Sequence, residues 1–336
     1  MKRFKFLIFL SILSIQSCKT QTNKINGVSF VASGKAINQT DVKPVVNVNA
    51  NYAAIMPFGF IRNLNDPEIN HNTDRQWFGE TRAGAKQYIG ELRKRGVKIM
   101  IKPQIWVWHG EFTGFIEMKN EADWKTLEAS YTSFILEYAD LANEVKAELF
   151  CIGTELEKFI ENRPEYWSNL IEKIKAKYKG KLTYAANWDE FKRTPFWTKL
   201  DYIGVDAYFP VSDKKTPSVV DCLEGWKKHK AVIYNMSQKY QKPILFTEYG
   251  YRSVDFSGKA PWVSDRSMNQ VNLEAQTNTT QALFETFWKE EWFAGGFIWK
   301  WFHEHDKVGG EDNSRFTPQN KPVEALLRKQ YKLPNE

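Results

Sequence analysis

Leu149-Phe150-Cys151-Ile152-Gly153-Thr154-Glu155-Leu156-Glu157 and Ile244-Leu245-Phe246-Thr247-Glu248-Tyr249-Gly250-Tyr251 decide how this chain folds. Each is a short apolar run that ends on a carboxylate. Short continuous apolar runs of this kind mark strands buried on both faces, and such strands belong to parallel sheets covered by helices. Bounded as Glu148–Gly153 and Ile244–Glu248, the two have six companions: Gly27–Phe30, Tyr52–Phe60, Lys98–Val107, Leu182–Asn187, Tyr202–Tyr208 and Gly296–Trp301. Helical patterns alternate with them, the clearest over Glu80–Arg95, Ala122–Lys146, Pro164–Tyr178, Cys222–Tyr240 and Met268–Glu291. Arg95-Gly96, Lys179-Gly180 and Lys242-Pro243 supply stop signals. Eight strands alternating with helices, with no Pro/Ser-rich linker between halves, predict a closed (β/α)8 TIM barrel formed as a single domain over residues 27–336. A doubly wound open sheet would call for a Gly-rich phosphate loop after an early strand, and Gly27-Val28-Ser29-Phe30 followed by Ser33-Gly34 does not provide one.

Ahead of the barrel, Lys2, Arg3 and Lys5 precede the apolar stretch Leu7–Ile15, which is shorter than the roughly 20 residues a membrane-spanning helix needs. This is the layout of an export signal over residues 1–17. Ser17-Cys18 after it resembles a bacterial lipobox, so Cys18 is expected to carry lipid, residues 18–26 to form a polar tether, and the chain to be held at the cell envelope, periplasmic or on the outer-membrane surface. The whole chain has a net charge of +7, from 47 Lys+Arg against 40 Asp+Glu; removing the signal takes three basic residues and leaves +4. No basic run interleaved with aromatics remains, which excludes the electrostatic footprint of a nucleic-acid binder. Cys151 and Cys222 lie far apart in unlike contexts and read as buried thiols rather than a zinc pair or disulfide. His303-Glu304-His305-Asp306 has the composition of a metal cluster but no third ligand at a telling spacing, so neither metal nor cofactor is expected.

Barrel chemistry sits at the C-terminal ends of the strands. Glu155 and Glu248 stand at two such ends, and paired carboxylates across a barrel mouth are what a retaining glycosidase uses: one as nucleophile, one as general acid and then base. Glu157, two residues on, is the rival for the acid. Aromatic residues gather near the strand ends. The chain has 13 Trp, and an indole face stacks on the apolar face of a sugar. Trp106, Trp108, Trp188, Trp299 and Trp301 are so placed, and alternation sets Trp299 and Trp301 on one face with Phe297. Lys102 and Gln104 interrupt an apolar strand and share a face with Trp106; polar groups there need partners, which a barrel mouth or a sugar hydroxyl supplies. Asn187 at the fifth strand end is a further ligand candidate, and Tyr208 a phenol donor to Glu248.

Gly153-Thr154-Glu155-Leu156 and Phe246-Thr247-Glu248-Tyr249-Gly250, with Gly204-Val205-Asp206-Ala207-Tyr208 and Phe297-Ile298-Trp299, resemble glycoside hydrolase family 113, the β-mannanase-like enzymes of the clan-A barrels. The resemblance covers essentially all of the chain after the signal. It implies Glu155 as acid/base, Glu248 as nucleophile, retention of anomeric configuration, and β-1,4-mannan or manno-oligosaccharides as substrate. Many clan members place Asn directly before the acid/base, where this chain has Thr154. The rival classes are a glycosidase for another β-glycan, a non-catalytic glycan-binding lipoprotein and a purely structural envelope protein.

Overall fold

The computed structural model describes residues 24–264 and 270–332; the predicted signal and Cys18 lie outside them. In chain order the elements are β1 (Ile25–Phe30), α1 (Gln39–Asn47), β2 (Tyr52–Ile55), β3 (Phe58–Ile61), α2 (Arg82–Arg93), β4 (Lys98–Ile101), β5 (Gln104–Val107), α3 (Glu121–Glu144), β6 (Leu149–Thr154), α4 (Glu157–Asn162) and α5 (Pro164–Lys177). There follow β7 (Lys181–Asn187), β8 (Ile203–Asp206), α6 (Val219–Tyr240), β9 (Ile244–Tyr249), α7 (Leu273–Phe287), β10 (Phe293–Trp301) and α8 (Pro322–Lys332).

Eight of the strands close into a parallel barrel in the order β1-β10-β9-β8-β7-β6-β4-β2. The predicted (β/α)8 barrel is the observed fold. Two apolar runs each turned out to be two strands. Tyr52–Phe60 divides at Met56-Pro57 and Lys98–Val107 at Lys102-Pro103, because proline cannot donate to a ladder. Their second halves, β3 and β5, pair in parallel as a small extra sheet over the barrel mouth. The barrel starts inside the segment expected to be tether: Lys24 is buried and Ile25 and Asn26 already belong to β1. Helix α7 starts at Leu273, capped by Asn272, rather than at Met268, which lies outside the described residues.

Packing follows the alternation of the strands. A small inner cluster, including Ile25, Ala54, Met100, Leu149, Cys151, Leu245 and Phe297, fills the barrel. A larger outer cluster, including Phe150, Ile152, Phe246 and Tyr249, packs the strands against the helices. Cys151 and Cys222 are buried free thiols within this packing. The alternation breaks at three places near the barrel mouth. Register shifts between Cys151 and Thr154 on β6, between Phe246 and Glu248 on β9, and between Ile298 and Trp301 on β10 each insert a residue. Such bulges re-aim side chains.

Candidate active site

Glu248 shows what a bulge does. Inward Leu245 and outward Phe246 would send Glu248 outward by strict alternation. The extra residue, Thr247, instead sets Glu248 opposite Asp206 of β8 and turns its carboxylate into a cleft of about 670 Å³ at the C-terminal end of the barrel. Gly250 allows the next close approach: a Cβ there would sit 2.6 Å from the Trp299 carbonyl oxygen. Donors converge on Glu248. Lys102 Nζ is bonded to Oε1, Gln104 Nε2 donates to the same oxygen at 3.1 Å, and Tyr208 OH donates to Oε2 at 2.7 Å. Asp206 buttresses this set, 3.4 Å from Lys102 and accepting from Thr247 Oγ1 at 2.7 Å.

Lys102 is 0% exposed and Asp206 1%. Burial alone would lower the pKa of Lys102, but Asp206 and Glu248 outweigh it and raise the ammonium above its ordinary range, so the lysine keeps its charge. Asp206 is pushed up to about 7, first by burial and then by Glu248, with Lys102 opposing. Three donors, one of them the Lys102 ammonium, surround the Glu248 carboxylate, and hydrogen bonds to an ionised acceptor are the strong ones.

Glu155 lies across the same cleft in a different setting. It follows β6 with φ +50°, its N–H held by the Ala185 carbonyl at 2.8 Å. No donor reaches its side chain among the described residues, and its pKa is raised well above the usual carboxylate range, first by burial and then by the charges of Asp206 and Glu248. A buried relay fixes the turn beneath it. The Leu156 N–H donates to Tyr184 OH at 2.6 Å, and Tyr184 OH donates to Glu190 Oε1 at 2.8 Å, while Glu190 Oε2 accepts from the Asn187 N–H at 3.0 Å. Burial pushes Glu190 up to about 8. One carboxyl that keeps its proton faces another surrounded by donors, the division of labour that acid and nucleophile require.

Of the residues singled out in the sequence, Gln104, Trp106, Asn187, Trp188, Tyr208 and Trp299 line the cleft with the two glutamates, and Lys102 lies beneath Glu248. Trp188 stacks on Trp262, ring centroids 5.2 Å apart and 20° between planes, and Trp106 is 48% exposed. Trp301 is a correction. The bulge on β10, which contains the cis Trp299–Lys300 peptide, turns Trp301 into the outer core beside His305, fully buried and away from the cleft. Trp108, 63% exposed, is not among the lining residues. Glu157 heads α4 and pairs with Arg193, so it does not compete with Glu155. His305 bonds Glu324 at 3.1 Å, and no cluster of three metal-ligating side chains occurs among the described residues.

Asp206, Trp262 and Lys300 were missed. Asp206 and Lys300 had a signal, a charge inside an apolar strand run, as Lys102 had. Trp262 had none, because its loop position gives no register.

A model of Glycoside Hydrolase Family 113 matches residues 33–321. The chain belongs to glycoside hydrolase family 113. It is a glycoside hydrolase with a carbohydrate substrate. Among solved structures this family 113 enzyme is similar to the family 113 β-mannanase of Alicyclobacillus acidocaldarius solved with ManMIm, at 21% identity and TM-score 0.80, with 92% of this chain and 97% of that one covered. A further family 113 β-1,4-mannanase complex gives 20% identity and TM-score 0.79 over 92% of this chain and 99% of the other. A Faecalibacterium prausnitzii β-glucuronidase gives 14% identity and TM-score 0.61 over 92% of this chain but 48% of that one. At these identities the likenesses speak for the barrel. No curated protein matches the chain.

Proposed function

We propose that this family 113 enzyme hydrolyses β-1,4-mannan or manno-oligosaccharides with retention of anomeric configuration, from an envelope position held by lipid on Cys18. The observation that carries the chemistry is the pair of cleft carboxylates in opposite environments: among the described residues Glu155 receives no side-chain donor and Glu248 receives three. The choice of mannan is supported by the family and by the β-mannanases of like fold.

In the first step a Glu248 carboxylate oxygen bonds to the anomeric carbon as the bond to the glycosidic oxygen breaks, and Glu155 transfers its proton to that oxygen. Loss of negative charge on Glu248 weakens its hold on Lys102 and Tyr208. Asp206 keeps the ammonium partnered while the ester exists. In the second step Glu155, now a carboxylate, takes a proton from water as the water oxygen bonds to the anomeric carbon and Glu248 leaves with its electron pair. Trp188, Trp262, Trp299 and Trp106 offer faces to neighbouring sugar rings. Thr154 lines the cleft beside Glu155 with its hydroxyl buried, where the wider clan carries an amide.

The purified protein is expected to release reducing sugar from β-mannan and glucomannan in preference to cellulose or xylan. Proton NMR of the first product formed should show the β-anomer. Initial α-product would remove the double displacement, and activity confined to cellulose or xylan would remove the substrate.

A further inference from the structure

The turns that enter the eight barrel strands lie at the end of the barrel opposite the cleft. Counted with the first residue of each strand, they carry nine basic side chains against four acidic ones. Seven of the nine are exposed, Lys94, Lys98, Lys181 and Lys289 among them, whereas of the four acids only Glu291 is. In the loops of the cleft end the two signs are close to balanced. One face therefore holds a positive excess although the chain after the signal has a net charge of only +4.

The chain enters the fold on this same face. Lys24 is buried there, its ammonium donating to the Glu290 carbonyl at 2.6 Å and to that of Phe293. Residues 19–23 alone separate it from Cys18. Five residues at roughly 3.3–3.6 Å each reach less than about 20 Å when fully extended. Beside Lys24 runs a shallow groove in which three lysines, Lys227, Lys230 and Lys289, stand against two acids, Glu290 and Glu291, with Lys230 paired to Glu290; the Tyr234 and Trp292 rings in its wall meet edge-on at 5.5 Å. Basic residues combined with Tyr and Trp are the composition that settles at a headgroup layer.

We infer that the end of the barrel opposite the cleft docks on anionic phospholipid headgroups, so that the cleft opens away from the membrane. The part played by the tether rests on the lipid anchor proposed above; the charge of the face does not. Each base near such a surface contributes attraction that salt screens. Docking also fixes the enzyme's attitude. A polymeric glycan then reaches the cleft from the aqueous side, and the short tether keeps the mouth from turning toward lipid.

The test uses the mature chain purified from membranes and reconstituted into vesicles of phosphatidylcholine alone or rich in phosphatidylglycerol. Amide hydrogen exchange in residues 94–98, 178–181 and 289–292 should slow several-fold on the phosphatidylglycerol vesicles only, and the difference should vanish in molar salt. Replacing Lys94, Lys98, Lys181 and Lys289 together by Glu should abolish it while hydrolysis of soluble mannan stays unchanged. Should that variant fail to fold, Lys98→Gln with Lys289→Gln is expected to reduce the difference. Equal exchange on both vesicles overturns the inference, as does protection that survives charge reversal, or protection by soluble polyaspartate with none from phosphatidylglycerol. Intact mass reads the Cys18 lipid separately. An unlipidated chain still protected by added phosphatidylglycerol vesicles would refute the anchor and leave the face.

Discussion

Glu155 and Glu248 share a local sequence, Thr-Glu at the end of an apolar strand, and almost nothing else. Thr247 donates to buried Asp206, whereas the Thr154 hydroxyl is buried beside the Cys151 thiol and reaches no carboxylate among the described residues. Glu248 receives Lys102, Gln104 and Tyr208, while Glu155 receives no side-chain donor among the described residues and faces two other carboxylates. The difference shows that a residue's role here is set by what the neighbouring strands bring to it. Stabilisation by a charge-assisted donor and destabilisation by burial act on the same functional group with opposite sign.

The largest effect expected from breaking this asymmetry is on turnover. Glu248→Ala should lower kcat/KM on β-mannan by on the order of 10⁴, and adding a small anion such as azide should restore turnover with an α-glycosyl azide as product. Glu155→Ala should cost about 10³ on mannan but far less on an aryl β-mannoside, whose leaving group needs no proton. If both variants lose the aryl substrate equally, the two roles are not divided as proposed.

Removing the ammonium beneath Glu248 comes next. Lys102→Met leaves Asp206 and Glu248 buried without their cation, so it should lower kcat by about 10² and lower Tm, as loss of one partner of a buried pair destabilises by roughly 3–5 kcal/mol. Tyr208→Phe removes one charge-assisted hydrogen bond to Glu248, worth about 1.5–3 kcal/mol, and should reduce kcat by about 10- to 100-fold and lower Tm less than Lys102→Met does.

The pH profile sharpens the comparison from the other side. Glu155 must be protonated to act first, so kcat/KM should fall as pH rises through its raised pKa. Asp206→Asn deletes one of the charges that raise it, which should move that alkaline limb to lower pH. Glu190 makes a linked prediction for stability. Its folded pKa of about 8 lies above the ordinary carboxyl value of 4.5, so the folded state binds more protons than the unfolded one across that window, and stability falls as pH rises through it. Glu190→Gln should flatten this decline in a Tm series between pH 4.5 and 8. The smallest effect belongs to the rim. Trp262→Ala removes one face of the stack with Trp188 and should raise KM a few-fold, about 0.5–1.5 kcal/mol, with kcat nearly unchanged.

Much of the barrel was legible because strand periodicity and helix stops are local. Apolar runs ending in Glu155 and Glu248, the stop at Lys242-Pro243 and the polar Lys102 inside its strand could all be read in short windows. Helix α1 was not read as such: Pro44 interrupts its pattern, and only the Asn38 capping box marks its start. Alternation carried the reading of β10 as far as Trp299 and then misplaced Trp301, since a bulge depends on the neighbouring strand's register and leaves no period of its own.

The sequence by itself determined the eight alternating units, the two carboxylates at strand ends and the aromatic supply around them, because each follows from the side-chain period of a strand and the apolar face of a helix. Only the tertiary structure decided that Glu248 turns inward, that Lys102 and Asp206 meet it from 146 and 42 positions away in the chain, and that Trp301 belongs to the core. Closing a barrel fixes register between strands distant in the chain. Register in turn fixes which charges share a low-dielectric cleft, and so distinguishes an acid from a nucleophile.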